Sequence, residues 1–333
     1  MRQKVTMRAL AQACKVSPGL VSRALNGLDG VSEQTRALIM SKAQELGYDF
    51  DKLRPSLNRV AVLMLEDHDL GFALPFFSTI LAGVDDICKQ HQIGLSFSTF
   101  NQQDDLIKVI KQANGSAAIF IGFLPPEICR KIQNLPLPKA AIDSCIPEVI
   151  CFNTNNYELS YALTQHVLEQ GITRAAFMVP LRDHYSIQER ERGFLQALYD
   201  HNLALDPNYV FSSSALGRKA DEIDGYVAQL FKLKHPPEAI ICYNDLIALE
   251  VLKACRNLQI NIPQDVLLTG FDNVDFCALT HPAITSALVD GRRLGQEAMQ
   301  ALLNKTTPSN YIIKGHVIIR DSSCIPQGKK RAP

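Results

Sequence analysis

The sequence lacks the marks of several protein classes. No apolar run approaches the roughly 18 residues of a membrane span, and no secretory signal precedes the first helical pattern. It has no Gly-x-Gly-x-x-Gly after the first strand, no Walker loop and no Gly-x-Ser-x-Gly elbow, and its histidines are not paired at metal spacing. We therefore expect a cytoplasmic protein that is not an enzyme and holds neither a metal nor a cofactor.

Cysteine use points the same way. The nine cysteines are odd in number, show neither metal-ligand nor redox spacing, and stand mostly in apolar runs. Buried free thiols are the expected interpretation, and a redox sensor made of Cys145 and Cys151 is the alternative.

Charge is unevenly distributed along the chain. The 333 residues carry 34 basic and 34 acidic side chains, yet residues 1–48 hold seven basic against three acidic ones, a local excess of four positive charges. Such an excess suits contact with phosphates. With 47% hydrophobic residues, the rest of the chain is long enough to fill more than one core.

The first 48 residues predict three short helices. Thr6 can cap a helix over Met7–Cys14, and Ser17 followed by Pro18 begins a second helix that ends at Leu25 before Asn26-Gly27. A third helix, capped by Ser32, covers Glu33–Leu46 and directs Leu38, Ile39 and Ala43 toward the other two. The close spacing of the first two helices is typical of a helix-turn-helix, whose second helix enters the major groove of DNA. A three-helix protein-binding domain with a solvated basic face is the alternative.

From Arg59 onward, short β-rich runs alternate with helical stretches, which predicts parallel sheets covered by helices on both faces. Ligands in such folds gather at the carboxyl ends of the strands, so Asp143, Asn244, Asp245 and Asp272 are candidates to line one crevice. The predicted strands are 60–65, 94–100, 117–121, 140–142, 175–179, 239–242, 266–270 and 316–319, and the predicted helices are 77–91, 104–113, 157–170, 187–201, 221–232, 246–258 and 294–304.

Several ordered segments resemble one family. Val16-Ser17-Pro18-Gly19-Leu20-Val21-Ser22-Arg23-Ala24-Leu25-Asn26-Gly27 is similar to the headpiece of the LacI/GalR transcription repressors, and Ile262-Pro263-Gln264-Asp265-Val266-Leu267-Leu268-Thr269-Gly270-Phe271-Asp272 is similar to their effector-binding core. The resemblance covers nearly the whole chain. It implies an α/β chain with a three-helix headpiece followed by a two-lobed, periplasmic-binding-protein-like core.

The resemblance also implies which residues face DNA. Arg23 is expected to read a base, because a guanidinium can bond guanine O6 and N7 together. Pro18 and Gly19 offer no side-chain hydrogen bonds, so contact there is by shape or backbone. For Ser22 and Asn26, capping and phosphate positioning remain an alternative to base readout. The complete set of DNA-binding candidates is Thr6, Ser17, Pro18, Gly19, Ser22, Arg23 and Asn26.

A second set of residues is implied as the effector site. Carboxylates, an amide and a guanidinium suit a small polar ligand such as a sugar, and an aromatic ring can cover its apolar face. The alternatives are that Asp272 caps a helix, Arg190 forms a surface ion pair and Phe76 belongs to the core. The candidates are Phe76, Asp143, Arg190, Asn244, Asp272 and Phe276, with Tyr185 a weaker one.

The chain departs from the family pattern in two places. Leu74 stands where relatives usually present Asn, so the effector is expected to be less sugar-like. The segment between Tyr48 and the first strand is short and contains Pro55, which breaks a helix. Leu53 and Leu57 are the candidate hinge residues for a minor-groove wedge, but we expect that a short, partly extended hinge does not insert them.

The expected organisation is a headpiece (1–48), a hinge (49–59), a two-lobed effector-binding and dimerisation domain (60–325) and a tail (326–333). A homodimer, with contacts through the helix 77–91, would bind a pseudo-palindromic operator in double-stranded DNA. The alternatives are a solute-binding protein without operator recognition, and an α/β enzyme with His184 as a general base. A loop position at a pocket rim is the expected role of His184.

Overall fold

The structure is a computed structural model of the chain, and it describes residues 5–25, 30–48, 57–66, 70–179, 184–212 and 220–325. The chain divides into two compact units, Met1–Asn58 and Arg59–Pro333.

The first unit contains the three expected helices, α1 (Met7–Cys14), α2 (Pro18–Leu25) and α3 (Glu33–Leu46). Each begins where the sequence predicts. The hydroxyl oxygens of Thr6, Ser17 and Ser32 each accept a hydrogen bond, at 3.2 Å, from the backbone N–H three residues later. The buried side chains of this unit form one cluster: Leu10, Ala11, Val21, Ala24, Ile39, Ala43 and Tyr48.

One core prediction for this unit is wrong. Leu38 was expected to face inward, but 55% of it is exposed. Successive helix residues point about 100° apart, so Ile39 and Ala43, four residues apart, share the inward face and Leu38 lies outside it.

The second unit is built on two six-stranded sheets. The sheet of lobe 1 (residues 59–154 and 291–313) is parallel throughout. Its spatial order runs from the strand Asn310–Ile313, through Ile150–Thr154, Lys139–Ile142, Ala117–Ile121 and Arg59–Leu65, to Gly94–Phe100. Listed in the same spatial order and numbered by their position in the chain, these strands are β11, β5, β4, β3, β1 and β2. The covering helices are α4 (Leu70–Gln90), α5 (Leu106–Gln112), α6 (Pro126–Gln133) and α11 (Gly291–Asn304).

Lobe 2 comprises residues 156–288 and 316–325. Its sheet runs from His316–Ile318, through Thr285–Leu288, Leu267–Asp272, Ala239–Cys242 and Ala175–Val179, to Val210–Ser212. These strands are β12, β10, β9, β8, β6 and β7, and β12 pairs antiparallel with β10. The helices of this lobe are α7 (Asn156–Leu168), α8 (Tyr185–Asp200), α9 (Ala220–Leu230) and α10 (Asp245–Asn257).

Three short connections join the lobes, after β5, after β10 and after β11. They contact one another: the Gly315 N–H donates to the Asn155 side-chain oxygen at 2.8 Å, and the Thr154 hydroxyl donates to the Ile313 carbonyl at 3.1 Å. A Cβ on Gly315 would collide with the Leu288 carbonyl oxygen, so the third connection can pass only because this residue is glycine.

The helix that was expected to form the dimer, 77–91, is part of α4, which begins at Leu70 and runs through Pro75. One side of it is packed against α11. There Gly83 and Gly295 allow the two backbones to approach closely, and Asp86 accepts from Arg292 at 2.7 and 2.8 Å. Phe77, Ile80 and Val84 are buried, so this side belongs to the core of lobe 1.

Candidate DNA-reading face and interlobe seam

Helix α2 separates buried from exposed residues. Val21 and Ala24 lie in the headpiece core, whereas Ser17, Pro18, Gly19 and Arg23 are exposed and Ser22 is half-buried. Thr6 is also exposed, at the start of α1. Asn26 lies outside the described residues. The exposed side of α2 therefore carries a guanidinium and little side-chain bulk near its N-terminus.

The basic residues of the headpiece have different roles. Arg36 Nη1 donates at 2.9 Å to the Ala24 carbonyl, near the end of α2, and so holds α3 against α2. Lys42 pairs with Glu45 at 2.8 Å. Arg8 and Lys15 are exposed, like Arg23. Some of the predicted positive charge thus serves the fold of the headpiece.

For the hinge, Leu53 and Pro55 lie outside the described residues. Leu57 is half-buried. Leu74 belongs to α4, and its side chain lies outside the described part of the structure.

Arg190 is the most firmly held candidate effector residue. It is 5% exposed, its Nε donates to the Asn156 side-chain oxygen at 2.9 Å, and its Nη1 donates to the Tyr243 carbonyl. Its guanidinium carbon lies 3.7 Å from the centre of the Phe271 ring, and Nη2 is 3.4 Å from Asp272 Oδ1. Arg190 is therefore a buried anchor at the strand ends of lobe 2, which excludes the surface ion pair.

Asp143 and Asp272 stand at strand ends of opposite lobes, after β4 and at the end of β9. Both have positive φ, 63° and 102°. Burial raises the pKa of Asp272, the Arg190 guanidinium opposes that rise, and Asp143 adds to it. Three of the predicted effector residues, Asp143, Arg190 and Asp272, thus act on one another electrostatically.

The remaining candidates have local partners. Asn244 caps α10, its side-chain oxygen accepting from the Ile247 N–H at 3.0 Å. Phe76 is half-buried beside Phe77, with ring centres 5.6 Å apart, and Phe276 packs against the core of lobe 2. Asp245 was expected in the crevice, but it is 1% exposed inside lobe 2. There it accepts from the Ser286 hydroxyl at 2.6 Å and the Val274 N–H at 2.9 Å.

The structure brings together residues of the two lobes that the sequence did not connect. We call the contact between the lobes the seam. Phe123, after β3 of lobe 1, meets His184 of lobe 2 edge to face with ring centres 4.4 Å apart. Asn310 Nδ2 of lobe 1 donates to the Tyr185 hydroxyl of lobe 2 at 3.1 Å. The expectation that His184 lies at a pocket rim is wrong, because it is only 6% exposed. The sequence offers no signal for Phe123, since its partner is 61 residues away.

The thiols agree with the prediction only in part. Cys88, Cys151, Cys242, Cys255 and Cys277 are buried, whereas Cys145 and Cys324 are exposed. Among the described residues, no cluster of three or more histidine, cysteine or acidic side chains is arranged to hold a metal. In the same part of the chain, no helix is both long and apolar enough to cross a membrane.

Comparison with known proteins agrees with this architecture. Residues 164–323 match the periplasmic binding protein-like domain. The HTH-type transcriptional repressor CytR of Escherichia coli strain K12 is 28% identical over 345 residues, covering 98% of this chain and 96% of CytR.

Two solved structures share the fold. The transcriptional regulator CelR in complex with cellobiose has a TM-score of 0.71 at 21% identity, covering 96% of this chain and 100% of CelR. The lac repressor dimer bound to operator and the anti-inducer ONPF has a TM-score of 0.69 at 18% identity, covering 97% of this chain and 100% of that one.

The chain combines a helix-turn-helix unit with a periplasmic-binding-protein-like domain. This combination defines a class, the transcriptional repressors with a ligand-binding domain. The chain is similar over nearly its full length to repressors of that class, PurR of Aliivibrio salmonicida and CytR of Escherichia coli.

Proposed function

We propose that this protein is a cytoplasmic transcriptional repressor, not an enzyme, that binds a pseudo-palindromic operator as a homodimer. A small polar ligand of the sugar type, bound between the lobes, controls its operator affinity. The observation that carries the proposal is the combination in one chain of an exposed recognition-helix face with acidic and basic groups at the facing strand ends of two lobes. The repressor CytR, similar over nearly its full length, supports it.

On the DNA side, Arg23 is the base-reading residue. Thr6, Ser17, Pro18, Gly19, Ser22 and Asn26 give shape, backbone and phosphate contacts. Pro18 and Gly19 let the start of α2 approach the base edges closely, because neither side chain fills the space. The short hinge contributes no minor-groove wedge through Leu53 or Leu57, so operator affinity depends mainly on the headpiece.

On the ligand side, Arg190 is the fixed donor of lobe 2, and Asp143 and Asp272 accept hydroxyl protons from the two sides. Asn244 contributes its amide, and Phe76 and Phe276 cover apolar parts of the ligand. By linkage, a ligand that lowers operator affinity must itself bind more weakly when operator is present.

The dimer is supported by apolar side chains exposed on both lobes. Phe97 on the edge strand β2 is 41% exposed, and Leu258 and Leu279 of lobe 2 are 43% and 75% exposed. Exposed large apolar groups of this kind often mark interfaces. Among solved structures of the same fold, the lac repressor is described as a dimer on its operator.

The first experiment is selection and sequencing of genomic DNA fragments retained by the full chain at near-physiological salt. We expect enrichment of one pseudo-palindromic sequence, and the genes beside it would nominate ligands to test for release. Retention without a shared sequence that disappears as salt rises would mean phosphate attraction alone, and would overturn operator recognition.

With the operator known, Arg23→Ala should weaken binding by about 1–3 kcal/mol and relax the preference for guanine at one position of each half-site. Arg130→Ala, which removes an exposed arginine from α6 of the other unit, is the matched control for net charge. An equal loss on every operator variant would assign Arg23 to phosphate contact.

The ligand site is tested by thermal shift with the nominated ligands. Asp272→Asn should reduce the ligand-induced shift, and Asp275→Asn, an exposed carboxylate three residues away, should leave it unchanged. An unchanged shift in Asp272→Asn would remove that residue from the site without affecting the operator result.

A further inference from the structure

The seam holds a histidine in an unusual setting. His184 Nδ1 lies 2.9 Å from the Ser186 hydroxyl, and its ring stands edge to face against Phe123 of the opposite lobe. Its Nε2 is buried and has no hydrogen-bond partner among the residues that the structure describes. Phe123 also packs against the core cluster of lobe 2 that contains Ile187. One imidazole ring therefore takes part in holding the lobes together.

The two charge states of this imidazole fit the seam differently. A neutral ring needs one donor and one acceptor role, whereas an imidazolium has two N–H donors that both need acceptors. Burying an N–H donor without an acceptor is unfavourable, and it is more unfavourable when the donor is charged. The arrangement around Nε2 therefore accepts the neutral ring and penalises the cation.

The charged groups that face His184 come from two elements. Asp143, after β4 of lobe 1, favours the cation, and Arg190, on α8 with His184, opposes it. The loop after β3 contributes the uncharged Gly122 and Phe123. Weak backbone hydrogen bonding at Gly122 and Asp143 also favours the cation, but it is the smallest of these effects and leaves Nε2 without a well-formed hydrogen bond. Burial is the largest effect, and it lowers the pKa of His184 below its ordinary value of 6.5.

We propose that His184 is a proton-sensitive latch: the neutral ring holds the lobes closed against Phe123, and the imidazolium releases them. The direction follows from burial. Because the closed seam lowers the affinity of His184 for a proton, closure is favoured at pH values above its ordinary pKa and is lost as the pH falls below it. This proton linkage goes beyond the proposed function and needs neither operator nor ligand.

The chain contains no tryptophan, so a tryptophan introduced by substitution would be its single indole and could report on one position. Phe123→Trp in the full-length protein places a single indole in the seam, where closure shields it and opening exposes it. Acrylamide quenching of its fluorescence lifetime would be measured between about pH 7.5 and about pH 5.5, the range in which an ordinary histidine titrates. We expect the quenching constant to rise at least about twofold on acidification as the open population grows.

Two further variants identify the titrating group. In Phe123→Trp/His184→Gln, which has no imidazole in the seam, quenching should be independent of pH. In Phe123→Trp/His201→Gln, which removes a half-buried histidine at the other end of α8, the pH dependence should remain. A flat profile in Phe123→Trp, or a persisting rise in the His184→Gln background, would overturn the proposal.

A second measurement guards against misfolding of the tryptophan variant. Amide hydrogen exchange of residues 122–124 would be compared between the unmodified chain and His184→Gln at each pH. We expect the unmodified chain to lose protection relative to His184→Gln only at the acidic end. The same ratio at every pH would contradict the latch.

Discussion

Replacing Asp245 by asparagine should change how the stability of the protein depends on pH. The carboxylate is 1% exposed, and burial raises its pKa from 3.8 to about 6 despite hydrogen bonds from Ser286 and Val274. Since the folded-state pKa is the higher one, the stability that this group contributes is complete below pH 3.8 and is lost as the pH rises through about 6.

The magnitude follows from the shift. One pKa unit corresponds to about 1.4 kcal/mol, so the ionised Asp245 costs about 3 kcal/mol of unfolding free energy at about pH 7.5, and only about 1 kcal/mol at about pH 4.5. Asparagine has the same shape and stays neutral. Its oxygen can accept from the Val274 N–H, and its amide can donate to the Ser286 hydroxyl oxygen. Asp245→Asn should therefore gain about 2 kcal/mol over the wild type between the two pH values.

The assay is urea unfolding of both proteins at each pH, followed by far-ultraviolet circular dichroism. Asp275→Asn, an exposed carboxylate on the neighbouring 3-10 turn, is the control and should run parallel to the wild type at both pH values. The reasoning would be refuted if the difference between Asp245→Asn and the wild type were the same at both pH values, or if the variant became relatively less stable as the pH rose.

The remaining predictions concern close packing and capping. In thermal unfolding, Gly295→Ala should destabilise the second unit by about 1–3 kcal/mol, because the added Cβ meets the α4 backbone. The control Gly225→Ala, in open space on α9, should be neutral or stabilising in the same assay. Gly315→Ala should cost a similar amount, since its Cβ meets the Leu288 carbonyl where two connections cross, and unchanged stability would mean that the connections can part freely. Ser17→Ala should lower the melting stability of the headpiece by about 1 kcal/mol through loss of the cap of α2, and no loss would show that the cap adds nothing there.

Much of the fold could be predicted from the sequence because its signals are local. Strands 94–100, 117–121, 175–179 and 239–242 have the predicted bounds, since each is a continuous apolar or β-rich run between turn residues. The helix starts at Thr6, Ser17 and Ser32 carry their own capping side chains. These elements need no information from elsewhere in the chain.

Elements that depend on distant partners were missed. Strand β5 ends in Asn153 and Thr154, which donate hydrogen bonds to Asn310 and Ile313, about 160 residues away. The segment therefore does not look like a core strand. Strand β11, in the chain segment after α11, acquires its strand character only by pairing with β5. Helix α6 is short and begins at Pro126, in a segment that reads as a turn.

The residues of the candidate site also divide into those marked by local sequence signals and those that depend on distant partners. Asp143 and Asp272 could be named because they follow or end predicted strands, and Arg190, on α8, could be named because it lies in a family motif. Phe123 could not be named, and His184 was assigned the wrong setting, because neither belongs to a motif and their contact joins two lobes. The error for Asp245 has a related cause: a carboxylate after a strand can turn inward when hydrogen-bond donors await it, and Ser286 and Val274 lie on other elements.

The short connections between the lobes constrain how a signal could pass through this molecule. Asn155, in the first connection, accepts a hydrogen bond from Gly315, in the third. The Gly315 backbone also packs against Leu288 at the start of the second connection, so the three connections are held together as one unit. The Arg190 side chain cannot shift toward a ligand without breaking its hydrogen bonds to Asn156 and Tyr243, so it stays fixed to lobe 2. Asp143 belongs to lobe 1 and moves with that lobe. A ligand that touched both residues would therefore act by fixing the angle between two rigid lobes. The free energy available for that change is the difference in ligand affinity between the open and closed arrangements.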